Sequence, residues 1–282
     1  MVRDPAKKYL MPVGFGPSCG PRQRPEGDLF EDIPNRITRY SVRFLSEPAA
    51  IQALLPEGLA LWGEPLVSVE LAELRDVAWL AGRGYNTLGV RFPAAFKGKE
   101  DHVRGQYLAV LWENLTDPIV TGREQLGYPK IYASISDARR HRGTHSFAAH
   151  WMGFSFIDVE LDANQPLAEA DRQAFLERGQ FGDGLIQHKY LPHTGEPWTD
   201  AAADYFTFST LVTARNREKR PPPSSIRVGT GEARFRRPRW EDMPTQHHIV
   251  GALADLPVRE WREASIVEAL DYSDHNEQRI LR

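Results

Sequence analysis

The sequence predicts an α+β fold dominated by β-strands. Short apolar runs follow one another through the middle of the chain, and Gly, Asp, Asn and Pro clusters separate them at intervals typical of an antiparallel sheet. Helical signals are confined to a few short stretches at the periphery.

Residues 1–34 are rich in Gly and Pro and hold few periodic hydrophobics, so they read as an extended arm of the kind that wraps a neighbouring subunit. Ile37, Tyr40, Val42 and Phe44 then mark a strand. Ser46-Glu47-Pro48 supplies an N-cap and a first-turn proline for a short helix running to about Leu55. Pro56-Glu57-Gly58 breaks it, and Leu59 to Trp62 begins an extended segment. The strand-like runs that follow are Leu66–Leu74, Val90–Phe96, Tyr107–Trp112, Ile119–Thr121, Tyr132–Ile135, Ser146–Met152 and Phe154–Leu161. A second helix is expected from about Leu167 to Arg178, where Leu167, Phe175 and Leu176 can share a face and Gly179 supplies the stop. Leu185–Leu191 and Tyr205–Thr213 read as further strands, and Asn216–Ser225 as a charged, triple-proline loop. Glu232–Phe235, His248–Leu253 and Ser265–Leu270 are the closing apolar runs, with His247-His248 preceding a strand. Composition never shifts sharply and no repeat is found, so residues 1–282 read as one domain.

Composition narrows the function. Lys and Arg number 35 against 38 Asp and Glu, a formal charge of −3, and the pI is near 6.3. Such a balance argues against nucleic-acid or membrane-surface binding driven by bulk charge. The alternation of Arg234, Arg236, Arg237 and Arg239 with Phe235, Pro238 and Trp240 reads as a solvated edge strand or as subunit salt bridges. Cys19 is the one cysteine, which removes intrachain disulfides and a Cys-based zinc cluster. His141, His145 and His150 fall in a strand-like run, where residues four apart lie far from one another, so no metal is expected. Gly14, Gly16 and Gly20 follow no strand and carry no Gly-Lys-Ser/Thr ending, so they do not cradle a phosphate. No run approaches the roughly 18 apolar residues of a membrane helix, and the N-terminus has no signal-peptide pattern. A soluble cytoplasmic protein is the expectation.

Gly122-Arg123-Glu124-Gln125-Leu126-Gly127-Tyr128-Pro129-Lys130 is the most informative stretch. Two glycines and a proline predict a compact loop from which Lys130 emerges among aromatic and apolar neighbours, with no adjacent charge. A free lysine is neutral in only roughly one molecule in two thousand at pH 7, and a useful neutral population needs about 4 kcal/mol of ammonium destabilisation. Desolvation in an apolar pocket supplies energies of that size. A neutral amine attacks a ketone to give a Schiff base, whose iminium is an electron sink for the adjacent bond. Glu70 is the second candidate, because it interrupts the apolar strand Val67, Val69, Leu71, and a carboxylate there needs a partner or a function.

The Gly-Arg-Glu to Tyr-Pro-Lys stretch resembles the signature of the acetoacetate decarboxylase superfamily, itself a known example of an activated lysine. Asn35-Arg36, Leu54-Leu55-Pro56-Glu57-Gly58-Leu59 and Leu66-Val67-Ser68-Val69-Glu70 are similar to family segments. So, in order and spacing, are Met152-Gly153-Phe154, Leu161-Asp162, Lys189-Tyr190-Leu191-Pro192 and Leu253-Ala254-Asp255-Leu256-Pro257-Val258. The resemblance covers most of residues 34–270. It implies an antiparallel or mixed cone or barrel-like sheet, a homo-oligomer, Lys130 as nucleophile, Arg36 near the substrate carboxylate and Glu70 lining the pocket. A structural ion pair between Arg36 and Glu70 is the plainer alternative.

Two family features are missing. Ile131 stands where decarboxylating members carry a second lysine, and Tyr85-Asn86-Thr87-Leu88 holds no acid where they carry one. Members with such changes resemble aldolase-dehydratases, which form an imine with pyruvate, condense its enamine with an aldehyde and eliminate water. That chemistry is therefore expected here, with a small oxo acid and an aldehyde as partners and neither metal nor organic cofactor. A β-keto acid decarboxylase and a catalytically silent small-ligand binder are the alternatives. A proton shuttle is required; Glu70 is the first choice, Tyr128 and Tyr85 are the other candidates, and Gln125 serves by orientation only. Gln125, Tyr85 and Tyr128 are expected to bind the substrate. Trp79, Tyr85, Phe92, Phe96 and Trp112 either wall a pocket or belong to the core.

Overall fold

The computed structural model describes residues 2–18, 24, 30, 33–179, 184–195, 199–210, 221–271 and 278–282. Cys19, Gly20, parts of the expected arm, residues 211–213 of the Tyr205–Thr213 run and 216–220 of the proline loop lie outside them.

Most of the expected runs become longer strands. β1 spans Asn35–Leu45, followed by α1 (Pro48–Gln52), β2 (Leu59–Leu61), β3 (Leu66–Val77), β4 (Arg83–Lys97) and β5 (His102–Glu113). Next come α2 (Thr116–Thr121), a π-helical turn (Gly122–Leu126), β6 (Lys130–Tyr132), β7 (Ser134–Ile135), β8 (Arg139–His141), β9 (Thr144–Trp151) and β10 (Phe154–Pro166). The remainder is α3 (Glu169–Gly179), β11 (Leu185–Pro192), β12 (Ala201–Ser209), β13 (Ser225–Phe235), α4 (His247–Ala254), β14 (Glu260–Trp261), β15 (Ala264–Asp271) and β16 (Gln278–Ile280).

The strands form one mixed sheet whose main path runs β16-β12-β11-β5-β4-β3-β1-β15-β13-β10-β9-β7. Most neighbours are antiparallel, while β5 pairs parallel with both β11 and β6. In a flat sheet β5 and β10, six places apart on that path, would stand roughly 29 Å from each other. Yet the rings of Trp112 on β5 and Phe156 on β10 meet at 5.0 Å, and those of Tyr40 on β1 and Phe147 on β9 at 6.3 Å. The sheet is rolled on itself, as the barrel-like expectation requires.

Side chains alternate between faces with a period of two. On β3, Val67, Val69 and Leu71 are fully buried in the apolar core with Val42, Phe44, Leu88, Val90, Phe92 and Trp112. Phe92 and Trp112 are therefore core rather than pocket wall. The intervening positions, Ser68 and Glu70, face the other way.

Two expected strands are helical. Ile119–Thr121 belongs to α2, where the Asp117-Pro118 start suits a first turn. His248–Leu253 belongs to α4, which buries Val250, Gly251 and Leu253 on one side. Short apolar runs look alike in either state until their partners are known. Gln246, just before α4, accepts the Trp112 indole N–H at 2.8 Å and donates to the Tyr132 carbonyl at 3.0 Å, tying this helix to β5 and β6. No helix among the described residues is long and apolar enough to cross a membrane.

Candidate active site

The register sets five residues side by side across five strands. Ser41 on β1 pairs with Glu70 on β3, Glu70 with Gly89 on β4, Gly89 with Leu111 on β5, and Leu111 with Lys130 on β6. Paired residues share a face, so this row belongs to the polar side of the sheet, opposite Val69 and Trp112.

Lys130 begins β6 and is only 8% exposed. Its Nζ lies 2.9 Å from Glu113 Oε1, donates to the Pro118 carbonyl of α2 at 3.2 Å, and stands 5.3 Å from the centre of the Tyr128 ring. Glu113, two places beyond Leu111 on β5, has its side chain 1% exposed. The lysine thus has a carboxylate beside it where the sequence reading expected no adjacent charge. Seventeen positions separate the two residues, and the parallel β5–β6 pairing brings them together.

The expected loop is instead helix, π-helical turn and a short extended stretch. Gly122 leaves room for the lysine, because a Cβ there would lie 2.5 Å from Lys130 Cδ. Gly127 ends the turn at φ +82°, where a Cβ would also lie 2.7 Å from Lys189 Cβ, so both backbone and space require glycine. The Arg123 guanidinium donates to the Lys130 carbonyl at 2.9 Å.

Below the turn lies a polar network. The Tyr128 hydroxyl and Ser209 Oγ are 3.1 Å apart, and the fully buried Gln187 donates to Ser209 at 3.2 Å. Gln278 donates to Gln187 at 2.9 Å, to Thr207 at 2.8 Å and to the Leu126 carbonyl at 3.0 Å. β11, β12 and β16 thereby hold the segment that presents Lys130. Gln125 sits within the turn, and its Oε1 is buried without a hydrogen-bond partner among the described residues.

Glu70 is on the lysine's face, but three strand spacings away, roughly 14 Å between backbones. Leu111 fills the gap, its Cδ1 3.2 Å from where a Gly89 Cβ would stand. Glu70 binds Arg91 at 2.9 Å, Ser41 at 2.9 Å and Arg39 at 3.8 Å. Burial pushes its carboxyl up, but the Arg91 and Arg39 charges outweigh that and hold it below the usual carboxylate range. It is a locked counter-charge, and the expected proton shuttle at this position is corrected accordingly.

Arg36 is also corrected. Its strand parity places it on the opposite face from Ser41 and Glu70, and it is exposed in a hydrogen-bonded pair with Asp76. Tyr85 is buried on the face of Gly89, its ring 6.0 Å from that of Trp79. Asn86 points the other way into a cross-link with Arg75 and Asp137, both at 2.8 Å. Glu113 is the residue that sequence reasoning missed. Its signal was akin to the one used for Glu70: a carboxylate on an apolar strand, here at its end rather than inside it. A surface groove lined by Glu57, His188, Asp204, Tyr205, Phe206 and Leu281 includes none of these residues.

A rolled mixed sheet with a buried lysine–carboxylate pair at a Gly-Arg-Glu turn defines a class of proteins built around an enclosed amine. The acetoacetate decarboxylase (ADC) family profile matches residues 11–270, and the chain belongs to that family. The acetoacetate decarboxylase of Clostridium botulinum (strain Eklund 17B / Type B) is 28% identical over 148 residues, 49% of this chain and 56% of the relative. The chain thus spans about half the length of that curated relative. A solved acetoacetate decarboxylase superposes with a TM-score of 0.72 at 17% identity, covering 100% of this chain and 98% of the other. The enduracididine biosynthesis enzyme MppR, complexed with pyruvate, superposes with a TM-score of 0.62 at 17% identity, covering 92% and 95%. At these identities the superpositions show the fold alone.

Proposed function

We propose that the chain is a Schiff-base lyase in which Lys130 forms an imine with a small oxo acid, and that the derived enamine condenses with an aldehyde and loses water. The observation that carries this reading is the enclosed Lys130 amine, 2.9 Å from Glu113 and beside the Tyr128 ring. Attack by the amine on the oxo carbon, followed by loss of water, gives an iminium. Loss of an α-proton to a base gives the enamine, which adds to the aldehyde carbonyl; the aldol hydroxyl then leaves as water, and hydrolysis of the unsaturated imine releases the product and returns the free Lys130 amine. MppR, whose fold is similar, binds pyruvate and has been solved with the condensation product of pyruvate and imidazole 4-carboxaldehyde. With Arg36 on the other face, we assign Arg123 to the substrate carboxylate and Gln125 and Tyr128 to its orientation.

Ile131 in place of a second lysine, and Asn86 turned away from the site, favour condensation. The name shared by the curated relatives favours β-keto acid decarboxylation as the second reading. The deciding experiment incubates the protein with pyruvate and an aromatic aldehyde, and separately with acetoacetate. An unsaturated condensation product, absent with Lys130→Ala, supports the first reading. Carbon dioxide release from acetoacetate alone replaces it with the second, and turnover retained by Lys130→Ala defeats both.

A further inference from the structure

We propose that Glu113 is the acid and base of imine formation at Lys130, a role that rests on the Schiff-base reading above. The side chain meets the requirement of position, with Oε1 2.9 Å from the reacting nitrogen. It also meets the requirement of isolation. Both side chains are nearly closed to solvent, so a proton leaving the amine passes to the carboxylate rather than to bulk water. Glu70, on the same face, lies three strands away and is paired with Arg91, Arg39 and Ser41.

The steps balance. The carboxylate takes one proton from the ammonium, giving a neutral amine and a carboxylic acid. The amine's electron pair forms the N–C bond, and the C=O π pair moves to oxygen. A second N–H proton transfers to that oxygen, giving a neutral carbinolamine. Glu113 then returns its proton to the hydroxyl, the C–O bond breaks, water leaves, and the nitrogen lone pair forms the C=N⁺ bond. Nitrogen keeps its third proton, and Glu113 ends as the carboxylate that faces the iminium. The same charge that accepts the first proton therefore stabilises the cation the cycle needs.

The test is borohydride trapping with pyruvate and with acetoacetate, mapped to Lys130 by peptide mass, in the unsubstituted protein, Glu113→Gln and Glu113→Ala. Glu113→Gln keeps the shape and removes the proton site, so trapping should slow by about 100-fold or more. Added formate should restore part of the rate to Glu113→Ala and none to Glu113→Gln, a rescue that a purely structural role does not give. Trapping by Glu113→Gln within about twofold of the unsubstituted rate, or no formate rescue of a folded Glu113→Ala, overturns the proposal. No adduct in the unsubstituted protein overturns the Schiff-base reading itself, and that control separates the two failures.

Discussion

Gly122 and Lys130 share one volume: a Cβ on the glycine would stand 2.5 Å from the lysine's Cδ and 2.9 Å from its Nζ. The Gly122 backbone is helical, at φ −63°, so alanine fits the chain path and only the space is wrong. Gly122→Ala should displace the amine from Glu113 and lower borohydride-trapped adduct at Lys130 at least about tenfold. Overpacking should cost about 1–3 kcal/mol in urea unfolding. Trapping equal to that of the unsubstituted protein would contradict this packing.

Glu70 should matter to stability and to its pH dependence. Removing one partner of a buried ion pair typically costs about 3–5 kcal/mol, so Glu70→Gln should lose that order of stability at pH 7. The folded carboxyl titrates below its ordinary value of 4.5, so its stabilisation is complete above that value and is lost as pH falls through the lowered one. Denaturant unfolding should therefore show the unsubstituted protein losing stability in acid, with the variant losing less over the same range. Parallel pH curves would refute this assignment.

Arg36 supplies the opposite expectation. Its pair with Asp76 is exposed and lies on the face away from Lys130. Arg36→Ala should leave both the urea midpoint and the KM for an oxo acid unchanged, whereas Arg123→Ala should raise KM with a smaller effect on kcat. A raised KM in Arg36→Ala would restore that arginine to the site.

The strands were legible because apolar alternation is local: β1, β3, β4, β5, β10 and β11 all contain the expected runs. The lysine was legible through the Tyr-Pro-Lys stretch. Its partner was not, because the approach of Glu113 depends on a parallel register between strands separated by α2 and the π-helical turn. The same limitation hid α4, where Ile249 and Val250 suggest a strand until Gln246 anchors the segment against Trp112 and Tyr132. Arg36 shows the reverse error. Its expected place came from the family resemblance alone, whereas the odd separation from Ser41 puts it on the other face of the sheet.

The alternation along β3 places two kinds of constraint on one ribbon. Val67, Val69 and Leu71 hold the roll together, while Glu70, one position out of step, meets the Arg91 and Arg39 guanidiniums and the Ser41 hydroxyl across the sheet. The two faces of the strand therefore answer to different partners, the apolar core on one side and the cross-strand ion pairs on the other. A change at Glu70 thus reaches β1 and β4 through their arginines, whereas a change at Val69 reaches the core.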